Sequence, residues 1–89
     1  MHTNGKLGRA IAIGRHAQVY HWGQDQVVKV YSAGMEKQAG WEYEMSCVVN
    51  RAQLNAPKVH GVVDVNGRAG VVFDRVVGKT AAQLLARQP

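Results

Sequence analysis

The chain is poor in most of the features that would narrow its class at once. A single cysteine, Cys47, excludes an intramolecular disulfide and fits a reducing compartment. No apolar run extends beyond a few residues, so none is long enough for a transmembrane helix. The first residues, Met1-His2-Thr3-Asn4-Gly5-Lys6, lack the apolar core of a secretory signal. A cytoplasmic protein with no membrane partner is therefore expected. The four histidines, His2, His16, His21 and His60, have no metal-ligand spacing with one another or with Cys47, which argues against zinc. No internal repeat or low-complexity segment is visible.

Charge is present but not concentrated. The net charge is +5, yet the Lys and Arg residues are scattered and never form a run. Scattered charge describes a solvated surface or a site for a polyanion, whether nucleic acid or nucleotide phosphates. With 46% hydrophobic and 19% charged residues, 89 residues make one ordinary globular domain, too short for a two-lobed enzyme. Val, Ile, Leu and aromatics run the whole length, so disorder is expected only at the ends.

The local patterns order the chain. Leu7 to Gly14 is a short apolar stretch, and Ala17 to Trp22 alternates as a half-buried strand does. Gly23-Gln24-Asp25-Gln26 reads as a hairpin turn into Val27-Val28-Lys29-Val30-Tyr31, a β-branched strand. Ser32-Ala33-Gly34 breaks the pattern. From about Glu36 to Leu54, Trp41, Met45, Val48, Val49 and Ala52 recur at helical spacing, and Asn55-Ala56-Pro57 stops the helix. Val59 to Val65 is a strand, Asn66-Gly67 a hairpin turn, and Ala69 to Val76 the last strand. Gly78 breaks it, Thr80 is a candidate N-cap, and Ala81 to Arg87 begins another helix. Turn-length connections favour a five-stranded antiparallel sheet with one long helix on a face, an α+β domain.

Some residues suggest chemistry. Ala12-Ile13-Gly14-Arg15-His16-Ala17-Gln18-Val19 has the spacing of a kinase glycine-rich loop, with alanine at the first and third glycine positions. Small residues there let backbone close over phosphates. A strand follows where a dinucleotide-binding turn would require a helix. Lys29 lies amid an apolar strand and shares a face with Val27 and Tyr31. It is either an edge-strand lysine whose stem covers apolar surface or a lysine that grips nucleotide phosphates. In the second case a helix glutamate should hold its amine. Glu42 shares a stripe with Met45 and Val49, and Glu44 is the fallback. Gly78-Lys79-Thr80 mimics the end of a phosphate-binding P-loop, but Phe73 stands where that motif needs its first glycine.

Four segments in order, Gly14 to Tyr20, Val28 to Tyr31, Ala56 to Gly61 and Asn66 to Thr80, resemble bacterial aminoglycoside-phosphotransferase and choline-kinase-like proteins. The resemblance covers roughly residues 7–86 and implies a kinase N-terminal lobe over 7–77. A flexible 1–6 would precede it, with a hinge and the start of a post-hinge helix at 78–89. It implies that ATP binds with Mg2+, Gly14 and its flanking backbone covering the triphosphate. Val19 and Val27 would form the ceiling over adenine, and Lys29 would bind phosphate with Glu42 as partner. Phe73 would back the pocket, while the Asp74 carbonyl and the Val76 N–H would pair with the adenine edge. The catalytic aspartate and Mg2+ ligands of that family lie in a C-terminal lobe, and no His-x-Asp motif occurs here, so the chain alone should not transfer phosphoryl groups. Its sheet face would be exposed and apolar, open to the missing lobe or a dimer partner. The alternatives are a non-catalytic protein-interaction module or a small basic nucleic-acid-binding domain. Weak clustering of Lys and Arg argues against the last.

Overall fold

A computed structural model describes residues 6–54 and 56–75. Five strands and one helix follow one another as β1 (Leu7–Ile13), β2 (Ala17–Trp22), β3 (Gln26–Tyr31), α1 (Glu36–Arg51), β4 (Val59–Val65) and β5 (Arg68–Asp74). The strands form one antiparallel sheet in the order β1-β2-β3-β5-β4. The fold is thus α+β, with the helix carried between the central strand β3 and the edge strand β4. Among the described residues, no helix is long and apolar enough to cross a membrane. The segments expected at Val76 and over 78–89 lie outside the described residues, as do residues 1–5. Lys6 is tied to the sheet, its carbonyl accepting the Gly23 N–H at 3.1 Å.

Both tight hairpins follow from turn chemistry. Asn66 (φ 52°) and Gly67 (φ 85°) occupy the left-handed region in succession, and Val65 pairs with Arg68 across them. That is the two-residue turn whose twist matches the strands it joins. Gly23 (φ 61°) opens the β2–β3 turn.

The period-two alternation of β3 sorts the core onto two sides of the sheet. Val27 and Tyr31 join Ala17, Val19, Val71, Phe73 and Ala39 on the helix side. Val28 and Val30 join Trp22, Val63, Val65 and Val72 on the other. The central strands are buried on both faces, and the exposed large apolar residues sit elsewhere: Leu7, Ile11 and Ile13 on β1, Trp41, Met45 and Val48 on α1, Leu54 beyond it, and Val62 on β4. On the second side, Gly70 sits where a side chain has no room. A Cβ there would meet Val28 Cγ2 at 2.8 Å and the Cγ2 atoms of Val63 and Val65 at 3.3 Å each. Valines have little rotamer freedom to yield. Gly70→Ala is expected to lower unfolding free energy by about 1–3 kcal/mol through overpacking, read as a lower urea midpoint with unchanged m-value.

The helix departs from the expected pattern in two ways. Its buried stripe is Ala39, Glu42 and Ser46, while Trp41, Met45 and Val48 point outward. The apolar periodicity therefore does not mark the packed face. Small Ala39 and Ser46, on either side of Glu42 along the stripe, let the helix come close enough for that carboxylate to reach the sheet, and polar pairing sets the rotation. The helix also stops at Arg51, before Leu54. Gln53 adopts φ 58°, its N–H donating to the Asn50 carbonyl at 3.0 Å while the Leu54 N–H donates to Val49 at 3.3 Å. These are the two bonds of a Schellman ending. Asn50 fixes the chain beyond, donating to the Pro57 carbonyl at 3.1 Å and accepting the Val59 N–H at 2.8 Å.

Strand β5 ends at Asp74 where apolar patterning suggested Val76. There the Asp74 N–H donates to the Lys58 carbonyl and the Arg75 N–H to the Asp25 carbonyl, both in register with the flanking strands.

Candidate functional site

The candidate site lies where β3 meets α1. Lys29 and Glu42 are 0% and 1% exposed, and the ammonium donates to Glu42 Oε1 at 2.8 Å. Tyr31, two residues on along the same face of β3, donates its hydroxyl to that same oxygen. The ammonium also lies 5.0 Å from the centre of the Tyr31 ring, within cation–π range. Strand alternation puts Lys29 and Tyr31 on one side, and the Ala39-Glu42-Ser46 stripe brings the carboxylate down between them. Glu44 faces solvent, so Glu42 is the carboxylate that reaches Lys29.

Cross-strand register assembles an apolar wall around the pair. Val19 stands directly opposite Lys29 on β2, and Val71 opposite it on β5. Val27 stands opposite Phe73, and Phe73 opposite Val59. Val19, Val27 and Phe73 are buried with Lys29 on the helix side of the sheet. Gly14 lies in the β1–β2 turn, its N–H closing the hairpin on the Ala17 carbonyl at 2.9 Å. The turn is moored to the far end of β3, the His16 carbonyl accepting the Ser32 N–H at 2.9 Å.

Asp74 is placed differently from the other named residues. Its carboxylate is half exposed and pairs with His60 Nε2 at 2.6 Å, across β4 and β5. Val76 falls outside the described residues. The structure thus brings Val19, Val27, Lys29, Glu42 and Phe73 together on one face, sets Gly14 in the turn preceding β2, and leaves Asp74 at the end of β5.

Three polar contributors carry no local motif. The two-residue spacing of Tyr31 from Lys29 places it on the same face but does not show that its hydroxyl donates to Glu42. Ser46 is buried on the Glu42 stripe, four residues on, and Asn50 sits a further turn along. A helix stripe of alanine, glutamate, serine and asparagine looks like a solvated face until the buried charge it serves is known. No group of three or more His, Cys, Asp or Glu among the described residues has the arrangement of a metal site. No protein-family model, curated protein or solved structure matches the chain.

Proposed function

We propose that this chain is the nucleotide-binding lobe of a small-molecule phosphotransferase of the aminoglycoside-phosphotransferase type, taking ATP with magnesium. The observation that supports it most is the buried Lys29–Glu42 pair in an otherwise apolar wall. An apolar pair of similar volume is commonly as stable as a buried ion pair, or more so. Its presence at the centre of this small core therefore speaks for a task other than stability. Fixing a lysine ammonium for phosphate oxygens is such a task, and a glutamate and a tyrosine hydroxyl on one oxygen would hold it in register.

In this reading Val19 and Val27 cover adenine, Phe73 backs it, and the Gly14 turn closes over the triphosphate. The carbonyl of Asp74 and the N–H of Val76 meet the adenine edge. Magnesium ligands and the base that activates the acceptor come from residues outside this chain, since it holds neither a His-x-Asp motif nor a described acidic cluster. Lys29 has no exposed surface in this structure, so phosphate must displace part of what covers it. Binding in the millimolar range is the expectation.

The test is a titration of Mg-ATP into the isotope-labelled chain, followed by NMR. Progressive shifts at the amides of Gly14, Lys29 and Phe73 are expected. They should vanish in Lys29→Met/Glu42→Met, a double substitution that removes both charges and leaves no unpaired one buried. Silence at those amides up to the solubility limit of Mg-ATP, in a folded sample, would overturn the reading. A protein-interaction module would then stand in its place, favoured by the outward-facing Trp41, Met45 and Val48.

A further inference from the structure

The outer side of α1 carries a pattern that the nucleotide reading does not use. At 3.6 residues per turn, Trp41, Glu44, Val48 and Arg51 fall in a stripe about 80° wide. The stripe is diametrically opposite the buried Ala39, Glu42 and Ser46. Trp41 is 45% exposed and Val48 46%, with Met45 at 40% on the flank. Leu54, 62% exposed, follows directly beyond the end of the helix. Neither Glu44 nor Arg51 forms an ion pair among the described residues. Tryptophan in particular is seldom left at the centre of a solvated helix face, and it is enriched among residues that anchor interfaces.

The order along this stripe is apolar, acidic, apolar, basic: Trp41, Glu44, Val48, Arg51. A two-fold axis near Val48 brings the acidic position of one copy to the basic position of the other. Glu44 lies about 6 Å before Val48 along the helix and Arg51 about 4.5 Å after it, at 1.5 Å rise per residue. In an antiparallel pairing each Glu44 therefore falls opposite the other copy's arginine, with the two valines meeting on the axis. The Glu44–Arg51 charge pair forms twice by symmetry, as a self-complementary two-fold interface requires.

We propose that the outer face of α1 is a homodimer interface, in which two copies pair antiparallel through Trp41, Glu44, Val48 and Arg51. The occupant is a second copy because the complementarity is internal to one helix: the acidic and basic positions sit nearly equidistant from one apolar centre. The surface is independent of the Lys29–Glu42 site, which lies on the opposite side of the same helix. A single helix face is a small interface, below the roughly 1,200 Å² of total buried area typical of stable complexes. The dimer is accordingly weak and concentration-dependent.

Sedimentation equilibrium of the chain from micromolar to millimolar concentration tests it. A monomer–dimer equilibrium is expected, with Trp41→Ser weakening it about tenfold or more, as loss of an aromatic anchor does. Glu44→Arg and Arg51→Glu should each weaken it several-fold, because each places like charges opposite one another twice. The combined swap, Glu44→Arg with Arg51→Glu, should restore association. All three substituted positions are exposed, so urea unfolding of each variant should match the parent and separate association from folding. A monomer at millimolar concentration overturns the proposal and leaves the face to a different protein. So does a dimer indifferent to Trp41→Ser, or a swap no tighter than the single variants.

Discussion

Glu42→Ala is expected to cost about 3–5 kcal/mol of unfolding free energy, because it strands the Lys29 ammonium at the centre of the core. For 89 residues at about 0.05–0.15 kcal/mol each, total stability is roughly 4–13 kcal/mol, so one truncation removes about a quarter of it or more. The loss comes from desolvation. In the parent, ammonium and carboxylate each give up water and recover it in a 2.8 Å charge-assisted hydrogen bond, with the Tyr31 hydroxyl adding a donor. Removing one partner leaves the other's desolvation uncompensated. Removing both should not, and the triple variant Lys29→Met/Tyr31→Phe/Glu42→Met should approach parent stability or exceed it. Tyr31→Phe is included because its hydroxyl loses the Glu42 acceptor. Urea unfolding measures all of these. Near-parent stability in Glu42→Ala would show that the pair meets water in solution. If the triple variant is stable and silent towards Mg-ATP, the pair serves the ligand at little benefit to the fold. If it is stable and still binds, the nucleotide reading of Lys29 is wrong.

Phe73→Ala should be of similar size, about 3–5 kcal/mol, for a different physical reason. Phe73 is the chain's single phenylalanine, wholly buried, with Val27 and Val59 opposite it on the two strands flanking β5. It plugs the helix side of the sheet beside the Lys29 wall, and its neighbours are strand residues whose backbones cannot collapse into the space. Both the transfer term and the cavity term are therefore retained. At about 4–8 °C per kcal/mol for a domain this size, the thermal midpoint should fall steeply. Phe73→Leu fills most of the volume and should recover most of the loss. An Ala variant within 1 kcal/mol of the parent, on the order of a surface substitution, would contradict the packing described.

Local chemistry made most of the fold legible. The β-branched run at Val27–Tyr31 and the alternation at Ala17–Trp22 each carry their strand within a residue. Asn66-Gly67 is a hairpin because asparagine and glycine tolerate two successive positive φ values. The β4 limits follow Val59 and Val65. Legibility ended where long-range pairing competes with local pattern. The last strand is expected to reach Val76, which lies outside the described residues, and strand pairing ends at Asp74 because its partners begin at Gln26 and Val59, distant in sequence. The helix was overextended because glutamine at φ 58° is unusual for a non-glycine residue, and the bridge from Asn50 to Pro57 and Val59 depends on where β4 lies.

The candidate site divides in the same way. That Lys29 would share a face with Val27 and Tyr31 follows from the two-residue period of a strand, and that Val19 would stand near it follows from a short hairpin. Which glutamate reaches it, and which side of α1 is buried, does not follow from the helix's own residues. Its apolar periodicity pointed to Trp41, Met45 and Val48, yet those three face outward and Ala39, Glu42 and Ser46 face the sheet. Hydrophobic periodicity reports the cheapest face for a helix to bury against an apolar partner. Here the partner is a sheet that presents an ammonium and a phenol, and leaving that ammonium unpaired costs more than leaving three apolar side chains partly in water. The strands and turns of this protein are properties of short stretches of chain. The rotation of its helix, and with it the Lys29–Glu42 pair and the exposed tryptophan, exists only once the sheet is assembled.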